Sequence, residues 1–204
     1  QLEESLPAQL LEENEADWFQ AWKESGYDQQ IYMPYFRQWD NKTGTGYREC
    51  FSSAAAMVAA FYKKVRTDDE YNEIRAKYGD TTSVEAQLAA LRSLGLQAEF
   101  RENGDSALVE HEVEHGRPVM VGWLHGGNML RGEPPMCNAL GCGHWSVISG
   151  YAGKNSSDPE WIMQDPRGYP EMEKGGHSNP HLGRNVRVRQ AAFHQRWQAD
   201  GPKT

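Results

Sequence analysis

The sequence is short of cysteine, short of base, and has no long apolar run. Only three cysteines stand in 204 residues, which leaves little for a structural zinc set: Cys137 and Cys142 are separated by four residues and no second pair follows. Lysine and arginine number 21 against 29 acidic residues, a formal charge of −8. That balance argues against general nucleic-acid binding, because phosphate contacts need basic side chains. No stretch approaches the roughly 20 apolar residues of a membrane helix. Residues 1–25 are acidic and polar, so no signal peptide is legible there. Internal repeats and low-complexity segments are also missing. The first residue is Gln1, and the expectation is a piece of a longer, secreted or phage-particle polypeptide.

What is present suffices for a folded core: 38% hydrophobic residues, with 7 Trp, 9 Tyr and 6 Phe. The reading is a domain over residues 27–204, preceded by an arm or linker end over 1–26. Residues 8–25 read as an acidic helix, and IYMPYF (31–36), broken by Pro34, as an edge strand or extended entry segment. In GYRECFSSAAAMVAAFYKK (46–64), Phe51, Ala54, Ala55, Val58, Phe61, Tyr62 and Val65 recur at helical spacing. This predicts a helix with one buried face and Cys50 at its start. Thr67 and Thr82 each stand three residues before a glutamate, the capping-box signature of two further helices ending at Gly79 and Gly95. A short helix is expected over 105–115. Beyond it, 118–124, 144–152, 160–165 and 185–189 have strand character, and 190–198 a last helix. Helices first and strands later predict an α+β fold, a helical half packed on an antiparallel sheet.

A thiol attacks as thiolate, and a helix N-terminus favours that form. Cys50 therefore needs a histidine brought to it by the fold. Of seven histidines, His144 is the best placed, at the first residue of the apolar strand HWSVISGYA. His111 and His115 lie on a polar helix, His177 and His181 in the loop GGHSNPH, and His194 in the last helix. A base histidine needs an orienting group. If 144–152 and 160–165 form a hairpin, Asp165 is that neighbour. Gln38, on the entry segment, is the candidate oxyanion donor beside the Cys50 amide. Trp39, Trp123 and Trp145 read as cleft walls or core. His125 with the loop cysteines, and His177 with His181, are the residues spaced for metal, yet no metal or cofactor is expected. Cys137 and Cys142 stay open between a local disulfide and two reduced loop residues.

Gln38, Cys50 opening an Ala-rich helix, GHWSVISGY and WIMQDPRG resemble the papain-like cysteine peptidases of the bacteriocin-processing, double-glycine-leader type. The resemblance runs from about Tyr32 to Trp197. It takes in DTTSVEAQLAALRSLGLQAEF, EVEHGRPVMVGW and VRQAAFHQRW. It implies a papain-like fold and peptide hydrolysis, with Cys50 as nucleophile, His144 as base, Asp165 orienting it and Gln38 holding the oxyanion. The implied partner is a peptide with small residues at the cut, or a cell-wall peptide cross-link. Two departures stand out. Phe51 follows the cysteine where that family has a small pair, and a Gly/Pro-rich insert over 125–143 suggests a lid or recognition loop. A peptide-binding module without turnover and a thiol acyltransferase or amidase remain the competing readings.

Overall fold

A computed structural model describes residues 27–137, 143–199 and 201–204; the expected helix over 8–25 and the rest of the 1–26 arm lie outside them. The Ala-rich segment forms α1, Cys50–Phe61. Its burial is broader than the one face expected: Phe51, Ser52, Ser53, Ala54, Ala55, Ala56, Met57 and Ala59 are all buried. Small side chains make this feasible, because neighbours can approach from both sides. The two buried hydroxyls are also satisfied, Ser52 by Thr81 and Gln87 and Ser53 by Asn41. The helix ends earlier than the apolar spacing suggests. Lys63 takes a left-handed φ of 58°, which turns the chain before Val65.

α2 (Asp68–Arg75) and α3 (Val84–Ser93) pack on one side of α1 around Ala55, Ala59, Tyr71, Ala90 and Leu91. Thr67 caps α2 as expected, accepting from the Glu70 amide. The cap of α3 is Ser83 rather than Thr82: its hydroxyl accepts from the Ala86 amide, while Thr82 donates to Asp80. α4 (Ser106–Glu114) is capped by Asp105, and α5 spans Gln190–Gln198.

The sheet is antiparallel, with strands β1 (Tyr27–Gln30), β2 (Val119–Trp123), β3 (His144–Ala152), β4 (Glu160–Gln164) and β5 (Val186–Arg189). β1 precedes the expected 31–36 entry, which is extended but unpaired apart from one bond, Ile31 N to Ser149 O at 2.6 Å. The YDQQ stretch carries little alternation, so its pairing with β3 was not readable. β1 and β2 share one edge of the long β3, at 150–152 and 144–148, while β4 covers the other edge and β5 follows it. The second side of α1 lies on this sheet, and Ala54 and Met57 join the buried cluster that also holds Val121, Val147, Ile148, Trp161 and Met163. No helix among the described residues is long and apolar enough to cross a membrane.

Candidate active site

The β3–β4 hairpin builds the first half of the site. Val147 pairs with Gln164, so the start of β3 runs beside the residue that leaves β4. His144 and Ser146, two apart on the strand, share a face, and both reach Asp165. His144 Nε2 lies 2.9 Å from each carboxylate oxygen, and Ser146 Oγ donates to Oδ2 at 2.9 Å. The Arg167 amide donates to Oδ1 at 2.9 Å. An ionised carboxylate only accepts, so Nε2 of His144 carries the proton and Nδ1 is its basic nitrogen. Burial would raise the Asp165 pKa, but the charges and hydrogen bonds of His144 and His177 outweigh it and hold the carboxyl below the usual range. Burial drives His144 the other way, down to about 4, against the pull of Asp165.

A second imidazole is bound to the same carboxylate. His177 Nε2 lies 3.2 Å from Asp165 Oδ2, with its side chain 3% exposed. Its loop is held by an arginine. Arg196, fully buried on α5, donates to the carbonyls of Met172, Leu124, Gly126 and Gly127. The Gly176 amide bonds His125 O at 2.6 Å. Gly175 sits so close to Gly127 O that a Cβ would lie 2.2 Å from it. These ties stack the 125–127 and 175–177 segments, placing His125 and His177 on rings 5.6 Å apart. His125 also stacks on His144 at 5.7 Å. Burial, then the neighbouring His144 and His177, push its pKa down to about 3. Nothing in GGHSNPH announced the His177–Asp165 contact: glycine-rich loops have no periodicity to read, and the only hint was a histidine twelve residues from the aspartate.

Cys50 enters from the helical half. The side chains of Phe51 and Trp145, the residues after Cys50 and His144, stack at 3.9 Å with planes 2° apart. This joins the first turn of α1 to the first residues of β3. Cys50 is half-buried and free. Burial pushes its thiol up to about 11, opposed by the Trp145 and Phe51 amides that reach the sulfur. Desolvation thus exceeds the effect of these two amides, and burial favours a neutral thiol at Cys50 and a neutral imidazole at His144.

Gln38 is fully buried, its Nε2 donating to Gly46 O at 2.6 Å, and its Oε1 has no hydrogen-bond partner. The segment around it is strapped over the Asp165 turn: Tyr35 Oη bonds Asp165 O, Gln38 N bonds Pro166 O, and Trp39 Nε1 bonds Arg167 O. A cavity of about 410 Å³ lies against the site, lined by Phe51, His144, Trp145 and Trp123 among others. A larger one of about 620 Å³, walled by Leu88, Leu91, Leu96, Met120 and Trp145, continues along the helical half.

Other candidates separate. Cys137 is disulfide-bonded, so its sulfur is not a thiolate ligand for the His125 zinc set; Cys142 lies outside the described residues. His181 meets Arg37 rather than His177. His111 on α4 and His115 at its C-terminal cap are exposed. Trp123 is buried, its indole N–H bonded to Ser146 Oγ, while Trp39 is surface-exposed with Arg167 over its ring.

Comparison with known proteins agrees with this architecture. A solved putative C39-like peptidase from Bacillus anthracis is 15% identical, with a TM-score of 0.54 over 86% of this chain and 95% of its own. A double glycine motif protease from an AMS/PCAT transporter, solved with its leader peptide, is 19% identical over 84% of this chain and 89% of its own, with a TM-score of 0.46. No curated protein matches. The sequence matches the Peptidase_C39 like family over residues 30–203, and with that span covering most of the chain, the protein belongs to the Peptidase_C39 like family and has its papain-like fold.

Proposed function

We propose that the chain is a cysteine peptidase in which Cys50 attacks, His144 moves the proton, Asp165 orients His144 and Gln38 stabilises the oxyanion. The observation that carries this reading is the buried His144–Asp165 pair, joined to the Cys50 helix end by the Phe51–Trp145 stack. Family membership supports the reaction class. Because Nε2 is committed to Asp165, Nδ1 takes the thiol proton as sulfur bonds to the substrate carbonyl carbon. The oxygen then carries the charge, and two donors are proposed for it. One is the Cys50 amide at the helix start. The other is the second N–H of Gln38 Nε2, whose first is held by Gly46 O. As the intermediate collapses, the C–N bond breaks and the Nδ1 proton goes to the leaving amine. Water, deprotonated by Nδ1, cleaves the thioester and restores the thiol.

The apolar cavity beside Trp145 favours a peptide substrate with hydrophobic side chains, whether its scissile bond lies between small residues or in a cell-wall cross-link. The experiment is incubation with a diverse peptide library and with purified cross-linked wall fragments, read by mass spectrometry. Cleavage should vanish in Cys50→Ala and in His144→Ala, both remaining folded by circular dichroism. Turnover by Cys50→Ala at the wild-type rate removes the proposal. Incorporation of an added amine without release of acid identifies an acyltransferase instead.

A further inference from the structure

We propose that His144, Asp165 and His177 form a site for one divalent transition-metal ion, zinc or a similar metal, and that occupancy silences the enzyme. His144 Nε2, an Asp165 oxygen and His177 Nε2 offer ligand atoms all within 4.8 Å of one another. A tetrahedral ion with bonds of about 2.0–2.1 Å holds its ligand atoms roughly 3.3 Å apart. Two of the three edges, both to Asp165 Oδ2, already match, at 2.9 and 3.2 Å. The remaining edge, between the two imidazoles, is no longer than 4.8 Å.

Charge points the same way. The ion-pair partners of Asp165 among the described residues are both histidines. The nearby Arg167 guanidinium acts on the neighbouring imidazoles but is not a direct ion-pair partner of Asp165 among the described residues, and a divalent ion bound to the carboxylate would supply a directly paired charge. The carboxylate is also held from outside the set, by Ser146 Oγ and the Arg167 amide. Such outer contacts orient metal ligands. Polar lining exceeds what the triad uses, since the Nδ1 atoms of His125 and His177 are buried without hydrogen-bond partners. Two imidazoles and one carboxylate suit zinc, cobalt, nickel or copper over calcium or magnesium. The cavity lined by His144 and Trp123 borders one of the three ligands.

Binding stands on geometry alone; only the silencing rests on the peptidase reading. An ion on Nε2 replaces the proton there, which moves to Nδ1 in the neutral ring or leaves to solvent from the charged one. Nδ1 then has no lone pair to accept the thiol proton.

The test uses Cys50→Ala protein, which removes any zinc held between thiol and imidazole. Titration calorimetry with Zn²⁺ should give one equivalent, and Co²⁺ should give the visible bands of tetrahedral nitrogen–oxygen ligation without a thiolate band. Adding His177→Gln, which keeps a hydrogen-bond donor toward Asp165 but loses the imidazole, should weaken binding at least tenfold. His111→Ala with His115→Ala should leave it unchanged. No Zn²⁺ binding by Cys50→Ala, or equal binding after His177→Gln, overturns the site. In the wild type, zinc should stop cleavage and a chelator restore it; tight binding in Cys50→Ala with no effect on wild-type cleavage overturns the silencing and leaves the site standing.

Discussion

At the scale of single residues, burial opposes a preformed thiolate–imidazolium pair at the candidate site. Burial pushes Cys50 up to about 11 and His144 down to about 4. The Trp145 and Phe51 amides near the sulfur act in the expected direction but do not offset desolvation. This has a kinetic signature. His144 must be neutral to take the thiol proton, so cleavage in the presence of a chelator should hold from neutral pH down to about 5 and fall as the ring protonates near 4. Iodoacetamide labelling of Cys50 should be slow at pH 7 and rise toward pH 10. A labelling rate that is fast and flat from pH 6 upward would mean an ionised resting thiol. The settings of the proposed residues Cys50, His144, Asp165 and Gln38 were legible because sequence can express each: a helix start, a strand start, a strand end, an entry segment. His177 and His125 were not, since their placement depends on a buried arginine and on glycine contacts between distant loops.

At the scale of elements, the decisive junction is between α1 and β3. Phe51 stands where the resembling peptidases have a small residue, and here it is 5% exposed and packed flat on Trp145. Its ring ties the helix of Cys50 to the strand of His144, so it acts as structure and borders the cavity at the same time. Phe51→Ala removes a buried aromatic, which costs about 3–5 kcal/mol where the site cannot collapse. It also frees Trp145 to move. The expected outcome is a lower denaturation midpoint together with a drop in kcat larger than any change in KM, measured below the new transition. Full kcat in a destabilised protein would show that the stack does not set the spacing of sulfur and imidazole. The elements themselves were readable from period and caps, with errors where tertiary contacts decide. The apolar spacing continued through Val65 although a left-handed Lys63 ends the helix, and the cap moved from Thr82 to Ser83 because Asp80 claims the Thr82 hydroxyl. β1 was invisible because a short polar edge strand is defined by its partner rather than by its own pattern.

At the scale of the whole molecule, the site makes the fold sensitive to acid. His125 and His144 sit near 3 and 4 in the folded protein against about 6.5 when unfolded. Below pH 6.5 the unfolded chain takes up protons that the folded one refuses, so stability is complete above that pH and is lost as pH falls toward 4. Asp165 adds to this: its lowered folded pKa gives stability that is present above the ordinary carboxylate range and lost beneath it. Asp68 opposes them. Burial, then the neighbouring Asp69, raises it to about 6, so its folded form gains stability on acidification between about 6 and 4. Each tenfold change in proton affinity is worth about 1.4 kcal/mol. Two buried histidines, each displaced further than one half-exposed carboxyl, therefore set the sign. Urea midpoints measured from pH 7.5 to 4.5 should fall steadily below pH 6.5. In His125→Phe, which removes the more strongly displaced ring while its backbone carbonyl still accepts from Gly176, the slope should be shallower. A midpoint that stays level or rises with acid in the wild type would mean that the imidazoles around Asp165 accept protons inside the fold. The buried cluster would then be cationic rather than neutral at mildly acid pH.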